Sequence, residues 1–462
     1  MLVEQSNMPP SPGLTNNTIR QIVRVSIGGD TVRLKFSNDF SSSSVKINSA
    51  NIAVSAGGSA INASTIKQLK FNGNSSVTMD ANSSIFSDPV AFNLSPRMNI
   101  AITVYLGQTS PTTTGHPGSR TTSYLLAGDK TTSTDFSGAV KTEHWYVING
   151  IDVWAPENAA AVAILGNSIT DGRGSTTDQQ NRWPDILSER LIKNSATEQV
   201  GVLNLGIGGN CVLSGGLGPT GVSRFKRDIL DQQGVRWVIV FIGVNDIGGV
   251  NSASGATKMA DNLINAYKQM ISNAHTKNMK VYGATIMAFK GNSYYNQYSE
   301  SCRQTINKWI RTGGFYDSII DFDKVTRSSA DTSKLGIACF QNDGLHPDAA
   351  GYKKMGESID LNLFKQEAVK VFDIPDSKKY SEKSFHVIHR NGSAMLSFSL
   401  LQESFVSLKV YSLLGEEIIE LASKKFPSGK HTVEFKAGNL AKGMYVYSLK
   451  VGNFTIRPVA VY

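Results

Sequence analysis

Between Pro156 and Lys365 five apolar runs alternate with longer stretches of helical periodicity, and this alternation restricts the possible folds more than any other feature of the chain. The runs are AAVAILG, VGVLNLG, VRWVIVFIG, KVYGATIMAF and DSIIDFD. None alternates apolar with polar residues, so strands formed from them are expected to be covered on both faces. Helices are expected near Arg182–Asn194, Ser223–Asp231, Ala256–Lys277, Ser299–Thr312 and Asp348–Leu363. Strand and helix in alternation imply an α/β segment built on a doubly wound parallel sheet. Such sheets place their ligand sites outside the carboxyl ends of the strands. Chemically active residues therefore belong where these runs end.

The flanking segments read differently. Residues 1–155 carry short runs broken by Gly, Ser, Asn and Pro, among them SVKINSANIAVSA, FNLSPRMNIAITVYLG and HWYVINGIDVW. TIRQIVRVSIGGDTVRLKFS alternates on both sides of a Gly-Gly-Asp turn and predicts a β-hairpin. An N-terminal β-sandwich over 1–155 is the expectation, with the α/β segment over 156–365. The polar stretch FDIPDSKKYSEKS places a linker at 366–384. After it, AMLSFSL, FVSLKVYSLLG, HTVEFKAG, GMYVYSLKVG and FTIRPVAVY predict a small C-terminal β-sandwich of about seven strands over 385–462.

Bulk properties exclude several classes. No stretch of 18 apolar residues exists, so no membrane-spanning helix is expected. The net charge of +9 on 462 residues is modest and lacks blocks of like charge, and no nucleic-acid motif is present. It fits a solvated Lys-rich surface, or attraction to acidic glycans or other anionic surfaces. Three cysteines, Cys211, Cys302 and Cys339, make neither a disulfide framework nor a zinc site. Cys302 and Cys339 could bridge in an exported chain. Met1 to Leu14 lacks the regions of a signal peptide, which fits a cytoplasmic protein or one whose leader is absent from the chain as given.

Four islands lie at the ends of apolar runs. In LGNSITDG, Ser168 directly follows the first run, where its hydroxyl could face a crevice or cap a helix. LNLGIGGN ends the second run, and its glycines 206, 208 and 209 allow a tight turn or close approach of an N–H to a ligand. Their spacing does not fit the Gly-x-Gly-x-x-Gly dinucleotide pattern. FIGVNDIG ends the third run, where the Asn245 amide could donate to a developing negative charge. Asp246 beside it is expected to form a turn or cap a helix. In NDGLHPDAAGY, Asp343 and His346 lie three apart ahead of a helix. On a bend that spacing can bring the carboxylate to Nδ1 of the imidazole and leave Nε2 free as a base. Together the islands supply a nucleophile, hydrogen-bond donors, a base and the carboxylate that orients it.

This constellation resembles the SGNH or GDSL-type hydrolase family. GNSIT matches its serine block, GIGGN its glycine block, GVND its asparagine block and DGLHP its Asp-x-x-His block. The resemblance covers about 210 residues and implies a flavodoxin-like sheet and a serine esterase. It implies Ser168 as nucleophile, His346 as base and Asp343 as its partner. It further implies an oxyanion hole from the Ser168 and Gly209 N–H groups and the Asn245 side chain. No metal or organic cofactor is implied. Asn167 stands where the family commonly has Asp, which bears on fine geometry alone.

The opening segment is similar to the β domain that precedes the hydrolase in some bacterial members. The final segment, through LKVYSLLGEEI and LAKGMYVYSLKVG, resembles the C-terminal sorting domain of type IX secretion substrates. That likeness implies secretion machinery as a partner and a location outside the cell or at its surface. The substrate expected is an ester, small or polysaccharide-borne. An acetylated carbohydrate, a lipid and an aryl ester all remain open. So do two non-enzymatic readings, an inactive glycan-binding module and a surface adhesion protein. Acyl selection is expected from loops around Trp183, Leu213–Gly218, Ile247–Val250 and Phe289–Tyr295.

Overall fold

The structure, a computed structural model, describes residues 1–156, 158–365, 385–390, 393–400, 402–412, 417–436, 444–451, 454–456 and 459–461. The chain divides into two compact units, Met1–Gln366 and Glu367–Tyr462. The predicted linker at 366–384 lies outside the described residues, as do 413–416 and 440–443 within the two C-terminal motifs.

Five parallel strands form the middle of the first unit, in the spatial order Val200–Gly206, Ala160–Gly166, Val235–Phe241, Lys280–Ala284, Ser318–Ile320. Numbered along the chain, that order is 2-1-3-4-5. Val162, Ile164, Val238 and Ile239 are fully enclosed by the helices that flank the sheet. Burying a side chain of this size contributes about 1.5–3 kcal/mol, which is why the runs are continuously apolar. The helices Trp183–Ile192, Ala253–His275, Gln297–Thr312 and Ala349–Ser358 lie where the periodicity predicts them. The second predicted stretch, Ser223–Asp231, is split, with an α-helix at Gly221–Phe225 passing into a π-helix at Lys226–Leu230. The run KVYGATIMAF leaves the sheet after Ala284, because the Ile286 N–H donates to Asn307 Oδ1 (2.8 Å) instead of to a neighbouring strand.

Residues 1–154 form antiparallel sheets. The largest runs Val140–Thr142, Ser123–Ala127, Asn17–Arg24, Asn99–Leu106, Val45–Gly57, Ala60–Ile61 along its main path. A second sheet holds Ile148–Trp154, Gly29–Ser37, Ser84–Phe86 and Val90–Leu94. Ile19, Ile52 and Val104 of the first sheet meet Val32, Leu34 and Phe36 of the second in one apolar core.

The hairpin predicted around Gly28 and Gly29 does not form. Asn17–Arg24 pairs with Ser123–Ala127 and Asn99–Leu106, whereas Gly29–Ser37 pairs within the other sheet. The two glycines serve instead as a crossing between sheets. A Cβ on Gly28 would sit 2.3 Å from Leu94 O, and one on Gly29 2.2 Å from Trp154 O. Alternation on both sides of a Gly turn is equally compatible with a sheet change, since each strand needs one inward face in either case.

These sheets and the α/β segment belong to one compact unit, and polar bonds link them. Ser26 Oγ accepts from Val202 N (3.1 Å), Arg97 donates to Asp185 O (2.8 Å) and Gln180 donates to Thr121 Oγ1 (2.9 Å). In the second unit, Phe385–Arg390, Ser393–Leu400 and Gly429–Lys436 form one sheet. Glu417–Phe426, Ser404–Ser412, Met444–Val451, Phe454–Ile456 and Val459–Val461 form another. Leu396, Phe398, Val406, Leu408 and Tyr447 meet in their common core. All three cysteines are free thiols, so Cys302 and Cys339 are not bridged.

Candidate active site

The first three strands of the parallel sheet end side by side, with Gly166 in register with Gly206 on one side and Phe241 on the other. Each is followed by one of the islands. After Gly166 the chain turns sharply, and Asn167 caps the short helix Ser168–Asp171 by accepting from Ile169 N (3.1 Å). Ser168 is thereby relieved of capping and occupies the first helical position. The turn needs glycine at 166, where a Cβ would lie 2.1 Å from Thr170 Oγ1.

The Ser168 hydroxyl lies 2.8 Å from His346 Nε2. His346 Nδ1 lies 2.6 Å from Asp343 Oδ2, while Asp343 Oδ1 accepts from the backbone N–H of His346 (2.8 Å) and of Leu345 (2.9 Å). One carboxylate thus holds both the ring and the backbone that carries it. Ser168 and His346 are 6% and 8% exposed, so the pair is shielded yet reachable. Burial pulls the His346 pKa below its usual value, against the raising effect of Asp343. Burial would raise the Asp343 pKa, but hydrogen bonds from the His346 ring and from the two backbone N–H groups outweigh it and leave the carboxyl below its ordinary range. The resting arrangement is a neutral imidazole between a carboxylate and a hydroxyl. It can accept the serine proton and stabilise the resulting imidazolium.

Gly209 adopts a positive φ of 68°, and a Cβ there would lie 3.1 Å from Leu217. Asn245, in the helix Val244–Ile247, donates through Nδ2 to Asn210 O (2.9 Å). The Tyr294 hydroxyl donates to Asn245 Oδ1 (3.2 Å), which orients the amide with its N–H groups toward the glycine loop. Arg224 ties the loop to the strands beneath it, donating to Asn210 Oδ1 (3.1 Å), Leu205 O (2.8 Å) and Gly166 O (3.0 Å).

Asp246 neither forms a simple turn nor caps its own helix. Its carboxylate accepts from Val212 N (2.9 Å) and Leu213 N (3.0 Å), across to the segment that follows the glycine loop. Burial raises its pKa and the backbone N–H groups oppose the rise. Cys211 is a packed thiol whose pKa is pushed up to about 11 by burial and then by Asp246, so it stays protonated and unreactive. Trp183 was expected near the acyl pocket, but it is fully buried against Phe241 and Phe322 in the core.

Sequence reasoning found no residue of chemical interest in the opening β segment, yet that segment reaches the site. Asp171, 2% exposed at the end of the serine helix, binds His116 Nε2 through Oδ1 (2.8 Å). Its Oδ2 lies 3.4 Å from Arg120 Nη2. The loop backbone approaches so closely that a Cβ on Gly118 would overlap the Asp171 carboxylate, 1.8 Å from Oδ2. The GHPGSR run offered a signal, two glycines beside a His and an Arg, but nothing local indicated which surface it would meet.

Residues 164–354 match the model of the GDSL-like Lipase/Acylhydrolase family. Among solved structures, an acetyl xylan esterase, AlAXEase, is 20% identical, with a TM-score of 0.34, over 43% of this chain and 96% of that one. A Geobacillus acetyl-xylooligosaccharide esterase is 19% identical, with a TM-score of 0.33, over 46% and 96%. A GDSL-like lipase from Bacteroides thetaiotaomicron is 17% identical, with a TM-score of 0.31, over 43% and 84%. No curated protein matches the chain.

Proposed function

We propose, from the premise that this chain carries a GDSL-like lipase/acylhydrolase domain over residues 164–354, that it hydrolyses carboxylic esters through an acyl-enzyme on Ser168. The continuous relay from Ser168 Oγ through His346 to Asp343 carries this reading, with both contacts at hydrogen-bonding distance. His346 takes the serine proton as Oγ attacks the ester carbonyl, and Asp343 holds the ring in the required tautomer. The N–H groups of Ser168 and Gly209 and the Asn245 amide receive the charge that develops on the carbonyl oxygen. Losing one such donor typically costs about 10²–10³ in kcat, or roughly 2.7–4 kcal/mol. His346 returns the proton to the leaving alcohol. It then activates water against the acyl-enzyme, so none of these steps calls on a metal or organic cofactor.

The 2-1-3-4-5 strand order supports a flavodoxin-like sheet. Polar and charged residues around the serine helix, among them His116, Arg120 and Arg173, favour a hydroxyl-rich alcohol portion over an apolar one. An acetylated carbohydrate is therefore the preferred substrate, ahead of a lipid or aryl ester. The C-terminal unit is read as a sorting domain that hands the protein to secretion machinery, with an extracellular or cell-surface destination.

The test is Ser168→Ala on a chromogenic short-chain ester. Turnover should fall by several orders of magnitude. Labelling of the native protein by a fluorophosphonate should disappear in the same variant. Full retained turnover would overturn the nucleophile assignment.

A further inference from the structure

The proton relay and the oxyanion donors make no use of two arginines near the serine helix, Arg120 and Arg173. Arg120 comes from the N-terminal β segment and Arg173 from the turn after the serine helix. Arg120 is held in an unfavourable backbone conformation, with φ at 53°, while its carbonyl accepts from Asp178 N (3.0 Å). Strain of this kind persists only where the surroundings over-determine it, and it gathers at ligand sites. Its guanidinium makes one long contact, 3.4 Å to Asp171, whose other oxygen is taken by His116. Its Nε is buried and has no hydrogen-bond partner. The neighbouring Arg182 shows what a satisfied arginine looks like here, with Asp185 at 2.6 Å and Gln180 at 2.7 Å.

Arg173 is exposed and donates its backbone N–H to Ser168 O (2.9 Å). Its guanidinium lies 5.9 Å from the Phe340 ring centroid, and Phe340 N donates to His346 O (2.8 Å). Among the described residues no carboxylate pairs with it. Both guanidinium charges act on the His346 imidazole, each helping to lower its pKa after burial. Asp171 is almost fully buried, whereas the Arg120 side chain is 27% exposed, so of this pair it is the guanidinium that reaches solvent.

Which part of an ester meets these arginines follows from the proton's path. The base that deprotonates Ser168 must later protonate the leaving oxygen, so the alcohol portion lies on the histidine side and the acyl carbonyl on the side of Gly209 and Asn245. We infer that Arg120 and Arg173 form a cationic rim that selects esters whose alcohol portion carries a carboxylate, such as an acetylated acidic sugar. Guanidinium groups suit this task because their planar fork matches a carboxylate. The inference rests on the hydrolase reading and narrows its substrate.

The experiment compares acetate release from acetylated methyl glucuronoside and acetylated methyl glucoside, two esters that differ by a carboxylate. The full chain should favour the acidic ester in kcat/KM, chiefly through KM. The preference should shrink as salt is raised, because partly exposed pairs are screened. Arg120→Gln and Arg173→Gln should each reduce the acidic-to-neutral ratio, and together abolish about a tenfold preference. A lysine at 120 should restore part of it. The ratio divides out a general loss of folding or turnover, and Arg173→Gln alters an exposed side chain that can be replaced without disturbing the core. Equal kcat/KM for the two esters in an active wild-type protein overturns this inference alone. A preference unchanged in both glutamine variants also overturns it. Retained turnover in Ser168→Ala would instead remove the hydrolase reading beneath it.

Discussion

A histidine between a carboxylate and a hydroxyl acts as a base only while its ring is neutral. In the folded chain burial shifts the His346 pKa below 6.5, so the neutral form persists to a lower pH than in a free imidazole. The lowered pKa of Asp343 keeps the carboxylate ionised over the same range. The acid limb of kcat/KM should therefore titrate below pH 6.5, and a limb centred at or above that value would contradict the burial argument. Stability follows the same sign. A group whose folded pKa is depressed stabilises the fold above its unfolded pKa, and that contribution is lost as pH falls below 6.5 and through the folded value. Tyr294 also belongs to this scale. Tyr294→Phe removes one hydrogen bond to Asn245, worth about 0.5–1.5 kcal/mol, and should lower kcat by roughly 2–10-fold with little change in KM. A matching rise in KM would show that the tyrosine contacts substrate instead.

At the scale of elements, the glycine loop is a suspended structure. Arg224 binds it from below, and Asp246 holds the segment that follows it through the N–H groups of Val212 and Leu213. Asp246→Ala would leave those buried donors unpaired, at about 1–3 kcal/mol each, and release the backbone that presents Gly209. A lower melting temperature in calorimetry is expected together with a fall in kcat. Asp246→Asn, which keeps one acceptor oxygen, should lose less of both. If the alanine variant melted as the native protein does, the loop would be held by Arg224 and Asn245 alone.

At the scale of the whole molecule, the N-terminal β segment packs against the end of the serine helix through its 116–120 loop. The contact runs through Gly118, where any side chain would overlap Asp171. Gly118→Ala should push the loop away from Asp171 and weaken its bonds to His116 and Arg120. Activity should drop with the relay residues intact, and the loop carrying Arg120 should show faster hydrogen exchange. An alanine variant with native activity and native exchange would mean that the two segments touch without influencing each other.

The parallel sheet was legible because each strand is an unbroken apolar run and each helix is periodic, and both patterns arise from neighbours in sequence. Ser168 could be selected because in this fold active residues sit where strands end, and Asp343 and His346 because a carboxylate stands three residues before an imidazole ahead of a helix. The hairpin at Gly28 was misread because alternation reports one covered face and not which strand covers it. Arg120 and His116, and the bond of Tyr294 to Asn245, were invisible for a related reason: their significance comes from partners such as Asp171 and Asn245, 51, 55 and 49 residues away. Local periodicity by itself determined the elements and the three islands that end the first three strands, whereas the Asp343–His346 island lies 23 residues past Ile320, beyond the helix Phe322–Thr326. Only tertiary packing decided which distant surfaces close over the serine, because those contacts are chosen by shape and charge between segments that no local pattern relates.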